Sequence, residues 1–164
     1  MPAILALDQG TTGSTALVVH DSGRVLGRGY REFTQHYPRP GWVEHDAEEI
    51  LRVSVEAMRE AVAAAGERPV GLGITNQRET VVLWERASGR PVHRAIVWQD
   101  RRTAHRCDAL REAGHLDLVR STTGLVLDPY FSGTKLEWLF TEGGVDPSNP
   151  DLAVGTVDSW VLWN

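Results

Sequence analysis

The chain has a single cysteine, Cys107, among 164 residues. An internal disulfide is therefore excluded, and the thiol is expected as a small, partly buried side chain in a reducing compartment. Long apolar runs are missing too. The N-terminal stretch Ala3-Ile4-Leu5-Ala6-Leu7 ends after five residues and follows no basic segment, which excludes it as a signal peptide or membrane span. No basic run is interleaved with aromatics, and 17 Lys+Arg against 22 Asp+Glu leave a net charge of −5. That balance argues against a nucleic-acid or anionic-membrane partner. His20, His36, His45, His93, His105 and His115 are scattered, with no metal-ligand spacing to cysteine, and are expected on the surface or in loops. There is no Gly-x-Ser-x-Gly elbow and no Walker loop, so any nucleotide site must be built differently. A cytoplasmic chain without a membrane span is the expectation.

What is present is one domain's length, enough to bury roughly 70% of the unfolded surface. Residues 3–8, 14–20 and 24–33 are predicted strands, the last two joined by a tight Asp21-Ser22-Gly23 turn. Asp46 opens a predicted helix, with Glu49 placed to close a capping box and Gly66 to end it. Leu51, Val55, Met58 and Val62 form its expected apolar face. Strands are predicted over 70–75, 81–84 and 92–98, and helices over 101–113, 116–121 and 134–140. Asp158 or Ser159 is expected to cap a last helix. Residues 8–24 leave no room for a crossover helix, so the fold class is α/β with a mixed sheet and an N-terminal β-hairpin. The terminal Trp160-Val161-Leu162-Trp163 lacks a polar exit, so the chain is expected to be the N-terminal piece of a longer protein.

Four stretches carry chemistry. Asp8-Gln9-Gly10-Thr11-Thr12-Gly13-Ser14 follows a strand, and such a turn can aim N–H groups and hydroxyls at phosphate oxygens. Asp8 would be a hard ligand for Mg²⁺, through water. The same residues also suit an ordinary hairpin turn. In Asn76-Gln77-Arg78-Glu79-Thr80, a donor fork stands beside an acceptor carboxylate, which suits the vicinal hydroxyls of a polyol. A solvated hairpin tip would look similar. Trp98-Gln99-Asp100-Arg101-Arg102-Thr103 offers an aromatic wall for a polyol's carbon face, or a core Trp followed by an Asp100 helix cap. Asp128-Pro129-Tyr130-Phe131-Ser132-Gly133-Thr134-Lys135 is a structured loop entering a helix. Tyr130 there could present its hydroxyl to a ligand or be a buried aromatic.

Taken together with Asp158-Ser159-Trp160, these motifs resemble the FGGY family of carbohydrate kinases from Ile4 to Trp163, and within it the members that phosphorylate glycerol. The resemblance implies a ribonuclease H-like domain of the actin/hexokinase/Hsp70 ATPase kind. Residues 1–164 would be the incomplete N-terminal domain, with the C-terminal ATP-binding domain absent. It implies glycerol and ATP·Mg²⁺ in an interdomain cleft, and a homo-oligomer when full length. Arg78, Glu79 and Tyr130 would hydrogen-bond glycerol, and Trp98 would wall its carbon face. Thr11, Thr12 and Gly13 would meet the nucleotide phosphates, and Asp8 would help hold Mg²⁺. No catalytic residue falls within this stretch, because the family's general base is a downstream aspartate. Residues 1–164 alone are therefore expected to be inactive.

One departure stands out. Relatives commonly carry Ser-Ser-Arg where this chain has Gly13-Ser14-Thr15, so a guanidinium at the phosphates is lost, and weaker ATP affinity or a substitute cation from elsewhere is expected, not a change of reaction. Ketose kinases of the family tend to show Gly-Gln-Met-His-Gly where Asn76–Thr80 stands, which favours glycerol over a pentulose or tetritol. A non-catalytic actin-like nucleotide-binding module is the alternative of a different class.

Overall fold

A computed structural model describes residues 2–164. The chain opens with a meander of three strands, β1 (Ala3–Gln9), β2 (Gly13–His20) and β3 (Val25–Glu32). β1 and β2 run antiparallel, with Asp8 opposite Thr15, and β2 pairs with β3 through a register shift at Val18/Val19. Period-two alternation along β1 buries Ala3, Leu5, Leu7 and Gln9 and leaves Ile4 and Asp8 exposed. After the two-residue β4 (Glu44–His45) comes α1 (Ala47–Ala65), then β5 (Gly71–Asn76), which pairs parallel to β1. The sheet order β3-β2-β1-β5 is therefore mixed, as the lack of an early crossover helix predicts.

Asp46 caps α1 by accepting from the N–H groups of Glu48 and Glu49, and Gly66 ends it in the left-handed conformation. The capping box does not close: Glu49 instead accepts from the N–H and hydroxyl of Thr34, 15 residues earlier. The predicted apolar face is also rotated. The fully buried stripe is Ala47, Ile50, Val53, Ser54, Ala57 and Ala61, while Leu51, Val55, Met58 and Val62 lie on the half-buried flank. The cause is close approach. A Cβ added at Gly27 would sit 2.0 Å from the Ala61 carbonyl oxygen, and at Gly29 2.1 Å from that of Ala57. Helix backbone lies directly on strand backbone there, so only small side chains face the seam.

A second sheet has the order β4-β7-β6-β8, built from β6 (Val81–Glu85), β7 (Ala95–Ile96) and β8 (Leu152–Thr156). The strand predicted over 92–98 shrinks to Ala95–Ile96: residues 92–94 bend away after an isolated Trp84–Pro91 bridge, and the Asp100 N–H bond to the Val97 carbonyl turns the chain after it. β8 lies in a stretch where no strand was expected. The helices α2 (Ala104–Glu112), α3 (Leu116–Thr123), α4 (Ser132–Thr141) and α5 (Val157–Trp163) complete the chain. Thr156, not Asp158 or Ser159, stands at the α5 N-cap. The main core gathers β1, β2, α1, β6, β8 and α5. Trp160 is 1% exposed at its centre, and its indole N–H donates to the Ala47 carbonyl at 2.8 Å. Cys107 is buried, and burial raises its thiol pKa.

Candidate functional site

β5 and β6 belong to different sheets, so Gln77-Arg78-Glu79-Thr80 is a bridge between sheets rather than a hairpin tip. Its buried members face inward. Gln77 Nε2 lies 3.1 Å from Gln9 Oε1, 3.2 Å from the Gly10 carbonyl and 3.3 Å from His45 Nδ1. The Thr80 hydroxyl donates to Gln77 Oε1 at 2.9 Å and accepts the Trp98 backbone N–H at 3.2 Å. The chain of bonds continues from His45 Nε2 to Gln35 Oε1 at 2.6 Å, and from Gln35 Nε2 to the Thr11 carbonyl at 3.0 Å. With Nδ1 accepting from an amide that can only donate, His45 is the neutral Nε2–H tautomer. Burial, aided by the charge of His36, lowers its pKa to about 4. His45 is thus a fully buried relay, not the loop histidine expected, and its flanking residues carry no pattern that reveals this.

The Gly10–Gly13 turn is closed by a Gly10 N–H bond to the Gly13 carbonyl at 2.9 Å. A Cβ on Gly13 would lie 2.7 Å from the Arg31 carbonyl and 2.8 Å from the Tyr30 ring, so glycine is what lets Tyr30 pack over the turn. Thr12 is exposed and Thr11 half-buried. Trp98 donates from Nε1 to Thr11 Oγ1 at 3.0 Å, and its ring meets Tyr130 edge-on at 5.7 Å. The phosphate-loop candidate and both aromatic candidates therefore form one contiguous set. Glu79 joins from the bridge. Its Oε2 accepts the Ser132 N–H at 2.9 Å and the Ser132 hydroxyl at 2.7 Å, at the N-terminus of α4, leaving Oε1 free. Arg78 beside it is exposed and, among the described residues, held by no ion pair. Among the described residues, no side-chain hydrogen bond or ion pair joins Arg78 or Asp8 to the set.

Asp100 is not the cap of α2, where Thr103 stands. Its carboxylate instead accepts the Val43 N–H at 2.7 Å and three N–H groups of Arg102 at 2.8 to 2.9 Å. Arg102 also reaches Glu44 at 2.8 Å and lies 3.8 Å from the Trp42 ring and 4.6 Å from that of Trp138. This buried knot fixes the segment that follows Trp98.

Among the described residues no group of three His, Cys, Asp or Glu could hold a metal ion. Asp8, exposed at the β1 end in register with Thr15 and Thr75, does fit an ion that takes one carboxylate, water and substrate phosphates, as Mg²⁺ does.

The N-terminal-domain model of the FGGY family of carbohydrate kinases matches residues 3–164. Glycerol kinases from Alkalilimnicola ehrlichii and Bordetella parapertussis are 55% and 56% identical over 99% and 98% of the chain. The chain spans about a third of their length, 34% and 33%. The crystal structure of Plasmodium falciparum glycerol kinase with ADP superposes with a TM-score of 0.88 at 28% identity, over 100% of this chain and 34% of that one. A gluconate kinase from Lactobacillus acidophilus gives 0.88 at 14% identity over 99% and 32%, a likeness of fold alone.

Proposed function

Because the chain belongs to the FGGY family of carbohydrate kinases, we propose that it is the N-terminal domain of an enzyme that transfers the γ-phosphoryl group of ATP to glycerol. The observation that carries this reading is Trp98 bonded to Thr11 on one side and packed on Tyr130 on the other. It joins a turn suited to phosphate with residues suited to a small polyol. The identity to curated glycerol kinases supports the substrate.

In this reading Arg78 donates to glycerol hydroxyls, and Glu79 accepts through the oxygen that Ser132 leaves free. Trp98 covers the carbon face and excludes water, and Tyr130 contributes its hydroxyl. Thr11, Thr12 and Gly13 orient the nucleotide phosphates. Asp8 would hold Mg²⁺ through water, and the ion would supply neutralisation of phosphate charge. Catalysis is then positioning and charge stabilisation, with little covalent work for the protein. The proton of the attacking hydroxyl goes to a carboxylate supplied outside residues 1–164. The same reading has the enzyme act in the cytoplasm as a homo-oligomer. Among the described residues, no helix is long and apolar enough to cross a membrane.

A substrate panel on the full-length protein tests the proposal. Glycerol should give the highest kcat/KM; xylulose or erythritol outpacing it would overturn the assignment.

A further inference from the structure

Beneath the proposed polyol site lies a buried charged group that touches none of its ligand atoms. Lys135, on α4, is 0% exposed. A buried ammonium is tolerated only where acceptors replace the lost water. Lys135 Nζ donates to two main-chain carbonyls, those of Tyr130 at 2.7 Å and Glu79 at 3.1 Å. These are two of the residues assigned to the ligand, and they come from segments far apart in the chain.

Glu79 carries a second mark. It is the only non-glycine among the described residues with positive φ, +66°. Such a backbone persists only where surrounding bonds hold it. Here the holding bonds come from one helix face. Ser132 donates its N–H and hydroxyl to the Glu79 carboxylate, and one turn on Lys135 donates to the Glu79 carbonyl. The helix start holds the Glu79 side chain through a single carboxylate oxygen, Oε2.

We propose that Ser132 and Lys135 are positioning residues for polyol recognition: they set the Glu79 backbone and carboxylate against the Tyr130 backbone, and ligand affinity depends on them although neither touches the ligand. This rests on the assignment of Glu79 and Tyr130 to the ligand.

The brace is also sensitive to pH. Asp100, Glu79 and Asp128 face Lys135 and favour its charged form, while Arg102 and, above all, burial disfavour it. The balance lowers its pKa to about 8. The neutral amine keeps two N–H donors, so deprotonation weakens the brace without abolishing it, since charge-assisted bonds are the stronger kind.

The test is steady-state kinetics of the full-length enzyme and its Lys135→Met and Ser132→Ala variants. Lys135→Met should raise the KM for glycerol about tenfold, the size expected for one charged-group hydrogen bond, and leave the KM for ATP within about twofold. The parent's glycerol KM should climb as pH rises through about 8, and that of Lys135→Met should stay flat. A variant with unchanged glycerol KM, losing only kcat and thermal stability, would reduce Lys135 to a structural role and overturn the proposal. Should Lys135→Met not fold, Ser132→Ala decides by the same criterion: a raised glycerol KM supports the brace and an unchanged one refutes it. Running the series with erythritol and xylulose separates the two readings. If one of those is the better substrate, the glycerol assignment falls and the brace is judged on that sugar's KM.

Discussion

The Trp98 indole donates to the Thr11 hydroxyl across 87 residues of chain, at 3.0 Å. One hydrogen bond thus ties the turn proposed for the nucleotide phosphates to the wall proposed for the polyol, so neither can shift alone.

Trp98→Phe keeps an aromatic wall and deletes this donor. In the full-length enzyme, the KM for glycerol and the KM for ATP should both rise. A double-mutant cycle with Thr11→Val should give a coupling of about 1 kcal/mol. Strictly additive effects would show that the bond does not couple the two sites.

Among the described residues the exposed Arg78 side chain makes no ion pair or hydrogen bond, so Arg78→Ala should leave thermal stability within about 0.5 kcal/mol. The kcat/KM for glycerol should fall by roughly tenfold to a hundredfold, from about 1.5–3 kcal/mol of charged hydrogen bonding. Nucleotide binding, followed by titration with ADP, should survive. Lost ADP binding together with retained glycerol KM would move Arg78 to the other ligand.

His45 makes acid stability a test of the buried relay. Its native pKa of about 4 lies below the ordinary 6.5, so the unfolded state binds the proton first. The stability tied to its neutral form is complete above 6.5 and is lost progressively as pH falls toward about 4, about 3 kcal/mol in all. Denaturant midpoints should decline across that window, and His45→Asn should flatten the decline. An unchanged slope in the variant would show that other groups carry it.

Gly29→Ala places a methyl against the Ala57 carbonyl where no side chain can yield. It should destabilise the domain by about 3 kcal/mol or more, read as a lowered melting temperature or loss of soluble protein. A neutral outcome would mean that α1 does not lie on β3 as described.

Thr15 stands opposite Asp8 in β2, at the position where the family resemblance leads to the expectation of an arginine. Thr15→Arg should tighten ATP binding up to about tenfold in titration of the full-length protein. Ordinary parental affinity that the substitution leaves unchanged would show that the guanidinium is dispensable.

Much of this was legible from residue patterns. The opening meander, Asp46 and Gly66 at the ends of α1, and the mixed sheet follow from turn chemistry and capping, which act over a few residues. The clustering of Thr11, Trp98, Tyr130 and Glu79 came from motif resemblance, not from periodicity. What local patterns do not disclose depends on contacts distant in sequence. The Ala57–Gly29 seam rotated the buried stripe of α1 away from Leu51, Val55, Met58 and Val62, because backbone contact rewards small side chains over large ones. β8 formed because β6 offered it a partner. Asp100 left the helix start for Arg102 and Val43, an exchange that local spacing does not disclose. His45 and Lys135 sit in ordinary-looking neighbourhoods, and only the fold buries them.

The bridge from β5 to β6 has an outcome for how the protein fails. Its four residues are anchored by interior amides on one side and by the α4 start on the other, while its outer side chain, Arg78, reaches solvent. If the proposed site is right, selectivity for its ligand and cohesion of the two sheets are written in the same short span. Mild damage to the interior amides should blur substrate choice well before the domain melts.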